Sequence, residues 1–218
     1  VIVVPAGDIR AIIAGGTRRF VKTGVSSVVS ARSSIDQDVN VATGAAAGLL
    51  FQWSCVQTAP VFNSSCVNTL LFDSRTMVSE ELSFEPIGIQ AVDSFSRVTV
   101  VVYDSTRSAS AFVEVGVTTD EVNDVSISTR AASLVNVPAA QQVSLDASLK
   151  VVSPCTGIWK LDDPVVNLEN VALTPTQRDF SRGNFRFSLA IGPNRLPQRS
   201  TLAFSVQCGR AIASITLT

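Results

Sequence analysis

Histidine is absent from all 218 residues. That absence removes the commonest general base, the usual catalytic triads and the commonest metal ligand. Charge is scarce as well: Asp, Glu, Lys and Arg make up 16% of the chain, against an ordinary share of about a quarter. The two signs nearly cancel, 17 basic against 18 acidic, so no basic surface suited to nucleic acid is expected. No apolar run approaches the roughly 18 residues needed to cross a bilayer as a helix. Contact with a membrane is expected only through parts outside this chain. Methionine occurs once, internally at Met77, and no secretory signal precedes Val1, so the chain reads as a piece of a longer protein. Lysine is nearly missing too, with 3 against 14 arginines. Arginine pairs bidentately and gives up water more readily than lysine, which leans towards buried, assembled surfaces.

Catalytic motifs are also missing. There is no Gly-x-Ser-x-Gly elbow. Gly15-Gly16-Thr17-Arg18-Arg19 lacks the Gly-x-x-x-x-Gly-Lys-Ser/Thr pattern of a phosphate cradle and no helix follows it, so it reads as a hairpin turn. Glu80-Glu81 and Asp162-Asp163 are sequence neighbours, whereas acid–base pairs must face each other across a cleft. The chain is expected not to be an enzyme and to need no cofactor.

What the chain does have is short alternating apolar segments broken by turn residues. Phe51-Gln52-Trp53-Ser54-Cys55 places Phe51, Trp53 and Cys55 on one face and Gln52 and Ser54 on the other. A second tryptophan strand, Gly157-Ile158-Trp159-Lys160-Leu161, answers it. Each half then ends in a long strand, at 109–117 and 211–217. Three pairs of segments keep their order between the halves: 28–31 with 143–147, 51–53 with 157–159, and 107–113 with 209–215. The expected fold is all-β, two tandem Ig-like β-sandwich domains over residues 1–119 and 120–218, with Trp53 and Trp159 as core side chains. Strands are also expected at 1–4 and 165–173. A short helix is expected at 174–181, where Thr174-Pro175 resembles an N-cap followed by proline.

There are four cysteines, Cys55, Cys66, Cys155 and Cys208. Their even number, two per half, suggests one disulfide in each: Cys55 with Cys66, closing a small loop, and Cys155 with Cys208. With no Cys-x-x-Cys and no histidine, the spacing does not suit zinc. Two bridges imply an oxidising compartment; the other reading is four free thiols in a cytosolic protein. Asn63-Ser64-Ser65 is an acceptor triplet for N-glycosylation inside the proposed loop.

One stretch runs Ala31-Arg32-Ser33-Ser34-Ile35-Asp36-Gln37-Asp38, then Leu49, Phe51, Trp53, Ser54 and Cys55, then a second cysteine and a final pair of Val-rich strands. The second half continues with Val143-Ser144-Leu145-Asp146-Ala147-Ser148, the Trp159 strand and Phe185-Arg186-Phe187-Ser188-Leu189. This pattern resembles the receptor-for-egg-jelly (REJ) region of polycystin-1-like and sperm surface proteins, and the related PKD-type Ig-like domains. The resemblance implies an extracellular or cell-surface, disulfide-bonded, non-enzymatic module of REJ/PKD-like sandwiches. In such folds the segment holding Asp36, Asp38 and Asn40 is a turn whose Asp side chains cap backbone N–H groups. The alternating oxygens of Asp36, Asp38 and Asn40 offer a weak cation site as the other reading, without the Gly and Glu of a calcium loop. The role expected is structural and adhesive: a semi-rigid spacer and protein–protein assembly surface within a large cell-surface or filament-forming protein. The alternative is a receptor ectodomain module that binds a glycan or a protein.

Overall fold

The computed structural model describes residues 7–39, 42–129, 140–163, 165–197 and 201–217. The strand expected at 1–4 lies outside them. The chain is all-β and sandwich-like, and it divides into two compact units, Val1–Asp120 and Glu121–Thr218.

The described strands of the first unit are β1 (Ile9–Arg10), β2 (Arg18–Lys22), β3 (Ser27–Ser30), β4 (Ile35–Asp36), β5 (Leu50–Ala59), β6 (Leu70–Phe72), β7 (Glu81–Pro86), β8 (Phe95–Tyr103) and β9 (Ser108–Thr118). They form a four-stranded sheet, β2-β9-β8-β5, a three-stranded sheet, β3-β7-β6, and the pair β1-β4. Pairing is antiparallel except that β2 runs parallel to β9. Register brings inward residues opposite one another, with Phe51 across from Val102, Trp53 from Val100 and Cys55 from Val98. Phe51, Trp53, Val98, Val100, Val102, Val113 and Val115 share one buried cluster with Val29, Leu70, Leu82 and Phe84 of the smaller sheet. Two sheets, each apolar on one face, thus close over a common core. Trp53 is 3% exposed. Its main-chain N–H donates to the Met77 carbonyl at 2.9 Å and its indole N–H to the Ser79 carbonyl at 2.8 Å, which ties the 73–80 loop to the core.

The second unit holds β10 (Asp124–Thr129), β11 (Val143–Val151), β12 (Cys155–Leu161), the one-turn helix α1 (Leu168–Val171), β13 (Gln177–Phe180), β14 (Gly183–Ile191), β15 (Leu202–Cys208) and β16 (Ala211–Leu217). Its sheets are β10-β11-β14 and β13-β12-β15-β16. The tryptophan strand has the same companions in both units. It pairs antiparallel with the penultimate strand, which pairs with the last: β5-β8-β9 in one, β12-β15-β16 in the other. The fourth strand differs. In the first unit β2 joins the far edge; in the second, β13 joins the tryptophan strand itself. Gly157 makes that possible, because a Cβ there would lie 2.5 Å from the Phe180 ring. Phe180 packs between Phe185 and Phe187, at centroid distances of 5.2 and 5.4 Å, and Trp159 tilts against Phe187.

Two expected elements are exchanged. Residues 174–181 hold β13 rather than a helix. The Thr174 hydroxyl, which a helix would use as its cap, instead donates to the Ser188 carbonyl and accepts from the Ala190 N–H. The Trp159 N–H then reaches the Thr176 carbonyl at 2.8 Å. Residues 165–173, expected as a strand, hold α1, because Asn167 Oδ1 accepts from the Glu169 N–H and caps the turn. Leu168 is the buried side chain of that turn.

Asn123, buried where the second unit begins, was not singled out by sequence. Its Oδ1 accepts from the Val152 and Ser153 N–H groups, and its Nδ2 donates to the Ser153 carbonyl. Asn123→Ala leaves those backbone groups unpaired and should cost about 1–3 kcal/mol, read as a lower calorimetric transition for the second unit alone. The two tryptophans should also differ. The Trp159 indole N–H is buried with no acceptor among the described residues. Trp53→Phe therefore forfeits a hydrogen bond that Trp159→Phe does not, and should destabilise its unit by about 1 kcal/mol more. Calorimetry of the two variants checks this; equal losses would contradict it.

Candidate functional site

Asp36 and Asp38 sit on β4 and the turn after it, and Asn40 lies outside the described residues. Both carboxylates turn towards Arg107, in the β8–β9 connection. Arg107 Nη2 is 2.8 Å from Asp36 Oδ2 and 2.6 Å from Asp104 Oδ2, and Nη1 is 2.7 Å from Asp38 Oδ2. Nη1 also donates to the Gly7 carbonyl, and Nε to Asp104 at 2.9 Å. The guanidinium thus places all its donor nitrogens on oxygens and supplies the positive charge at the centre of three carboxylates. The remaining carboxylate oxygens cap backbone: Asp38 Oδ1 accepts from the Gly7 N–H and Asp36 Oδ1 from the Asp38 N–H. A side chain at Gly7 would collide with Gln37 and Asp38, so glycine is what lets the chain approach this closely. Among the described residues no group of three His, Cys, Asp or Glu is disposed to hold a metal. The cluster acts as a clasp that joins β4, the segment before β1 and the β8–β9 turn.

Asp104 accepts from the Thr106 and Arg107 backbone N–H groups and from the Arg107 guanidinium, which together hold its carboxyl well below the usual carboxylate range. Glu114 is lowered chiefly by Arg18, and Glu80 by the Ala45 N–H ahead of Arg32.

Cys55 is bridged to Cys66 and Cys155 to Cys208, with Cα separations of 5.7 and 5.4 Å, and no free cysteine is present. The first bridge ties the segment 60–66 back to β5. Gln57 and Asn63 exchange backbone hydrogen bonds of 2.9 and 3.0 Å across that loop. Beside it lies a groove of about 540 Å³, lined by Gln57, Phe62, Asn63, Asn68, Ile87 and Gln90 among others. None of its lining residues is charged. Val61, Phe62 and Val67 stand on its rim 71%, 69% and 69% exposed. The groove is assembled from two separate stretches, 57–69 and 87–94, and left no pattern by which sequence could find it. Only Asn63 was marked, through its triplet.

A family model described as the REJ domain matches residues 1–214. The chain belongs to the REJ domain family. No curated protein matches it. Among solved structures, the chain is similar to Dpr2 Ig1-Ig2 in complex with DIP-Theta Ig1-Ig3, at 8% identity and a TM-score of 0.32, covering 98% of this chain and 64% of that one. It is similar to the titin domains Z1Z2 in complex with telethonin, at 12% identity and a TM-score of 0.30, covering 99% and 97%. It is also similar to extracellular domains 3–5 of Drosophila OTK, at 10% identity and a TM-score of 0.31, covering 95% and 60%. This REJ chain thus spans less than two thirds of the Dpr2 and OTK chains. At such scores these likenesses add nothing to the family assignment. REJ membership and the two disulfides together point to an extracellular or cell-surface module.

A carboxylate held below its ordinary pKa contributes stability that is complete above the unfolded value, near 4, and is lost as pH falls through the folded value. The melting temperature of the first unit should therefore hold from pH 7 to about 5 and drop below about 4. Asp104→Asn should flatten that drop. An Asp104→Asn protein with the wild-type acid profile would sink the clasp's role in acid sensitivity.

Proposed function

We propose that this REJ chain is a non-enzymatic extracellular structural and adhesion module. It is built as two tandem Ig-like/PKD-like sandwiches over residues 1–119 and 120–218. It serves as a semi-rigid spacer and as a surface for protein assembly. The observation that carries this reading is the pairing of REJ membership with a cystine in each compact unit. A cystine constrains the unfolded chain and persists in an oxidising environment. The spacer role is supported by a connection, Thr119-Asp120-Glu121-Val122, that has no Pro, Gly or Ser run. Assembly is supported by the low charge and by the outer face of the β3-β7-β6 sheet. There the register sets Val28 opposite Ser83 and Leu71 opposite Glu85. Val28 and Leu71, both exposed, therefore flank one polar strand on the same outward side.

The second reading is a ligand-binding ectodomain module, favoured by the uncharged groove beside the cystine loop. Its volume falls within the roughly 300–1,000 Å³ of small-ligand clefts.

Sedimentation equilibrium of the full chain at rising concentration tests the assembly role. Self-association is expected, and Val28→Asp with Leu71→Asp should abolish it by placing charge on that face. A chain that stays monomeric at every concentration would remove the self-assembly role. Binding to a glycan array that Gln90→Ala abolishes would instead favour the second reading.

A further inference from the structure

We infer that Asn63 carries an N-linked glycan and that the groove beside it is the shelf on which the glycan's first N-acetylglucosamine residues lie. The inference rests on the extracellular reading and names what occupies the groove. Asn63-Ser64-Ser65 is the single Asn-x-Ser/Thr triplet in the chain. It stands in the groove wall itself. The Asn63 side chain is oriented by its Oδ1, which accepts from the Ser65 N–H at 3.1 Å. Its Nδ2 donates to no group among the described residues. That nitrogen is the atom that bears the sugar. Loop and acceptor are held in place by the Cys55–Cys66 bridge and the Gln57–Asn63 backbone pair, so the first sugar would leave the loop in a fixed direction.

The lining matches a neutral sugar. The polar side chains it offers are the amides of Gln57, Asn68 and Gln90, and no charge is present to favour an ionic ligand. Its apolar side chains, Phe62 first, suit the C–H face of a pyranose ring and the N-acetyl methyl. Val61 and Phe62 on the loop and Val67 just past Cys66, all this exposed along one groove, form a patch that water disfavours. A tethered sugar covers it at little cost in lost freedom, because the attachment already holds the sugar at the site.

The donor is a lipid-pyrophosphate oligosaccharide. A bond forms between Asn63 Nδ2 and C1 of the terminal N-acetylglucosamine, and the C1–O bond to pyrophosphate breaks. Nδ2 gives up one proton and the lipid pyrophosphate leaves with the bonding pair, so no oxidant or reductant is needed.

The test secretes the full 218-residue chain from a glycosylating eukaryotic cell. Intact mass and non-reducing peptide maps are then read before and after enzymatic removal of glycan. Glycan at Asn63 is expected, lost in Asn63→Gln and in Ser65→Ala and kept in Ser65→Thr. Trimming to a single N-acetylglucosamine should leave binding of an apolar dye low. Complete removal should raise it severalfold, and Phe62→Ala should blunt that rise. A bare Asn63 on protein with both cystines formed overturns the inference and leaves the extracellular reading standing. Free thiols would take the extracellular reading with it. A glycan whose removal leaves dye binding unchanged overturns the shelf.

Discussion

Each unit depends on burying the inner face of one tryptophan strand, a member of the larger sheet, against the smaller sheet. A β-strand has two faces, and only a strict alternation of apolar and polar side chains lets one face meet the core while the other meets water. Phe51 and Trp53 supply the inner face of β5, and Val98, Val100 and Val102 answer from β8 in matching register. A slip of one residue would turn every one of these side chains to solvent. The sheet order, the 73–80 loop hung on the Trp53 hydrogen bonds, and the cystine on the same strand all follow from keeping that register.

Charge in the first unit is arranged so that ionic groups end on one another rather than on the core. Arg107 pairs with Asp36, Asp38 and Asp104 together at the β8–β9 turn. Glu114 lies between Arg18 and Arg97, with Arg97 stacked 4.5 Å over the Phe112 ring. A buried carboxylate without such a partner would oppose folding strongly. The groove by the cystine loop is the opposite case. It is neutral, half apolar and open, and it lies on a loop fixed by covalent and backbone links. A rigid, uncharged concavity fits a neutral ligand and gives nothing to a charged one.

The strands were legible where apolar residues alternate over six or more positions, as in β8, β9 and β14. There burial on one face overrides every local preference. The errors fell where local signals were strong and tertiary ones silent. Thr174-Pro175 carries a helix-start signature, yet the Thr174 hydroxyl serves β14 and the segment pairs with β12. Asn167 is one of three polar residues in the stretch read as a strand, 165–173, yet it caps α1. Ile35 and Asp36, read as turn, pair with Ile9 and Arg10. For the Thr174 and Ile35 segments the deciding partner lies well away along the chain; for α1 it is local, the Glu169 N–H two residues beyond Asn167.

By itself the sequence determined the all-β class, the tryptophan strands, the family and the exclusion of histidine chemistry. These rest on composition and on period-two patterns, which are local. Tertiary structure alone decided that Arg107 takes the centre of the acidic turn, that Asn123 anchors the second unit, and that Phe62, Asn63 and Gln90 share one groove. Those contacts join loops whose spacing obeys no period. Only the closed sheets fix which loops meet.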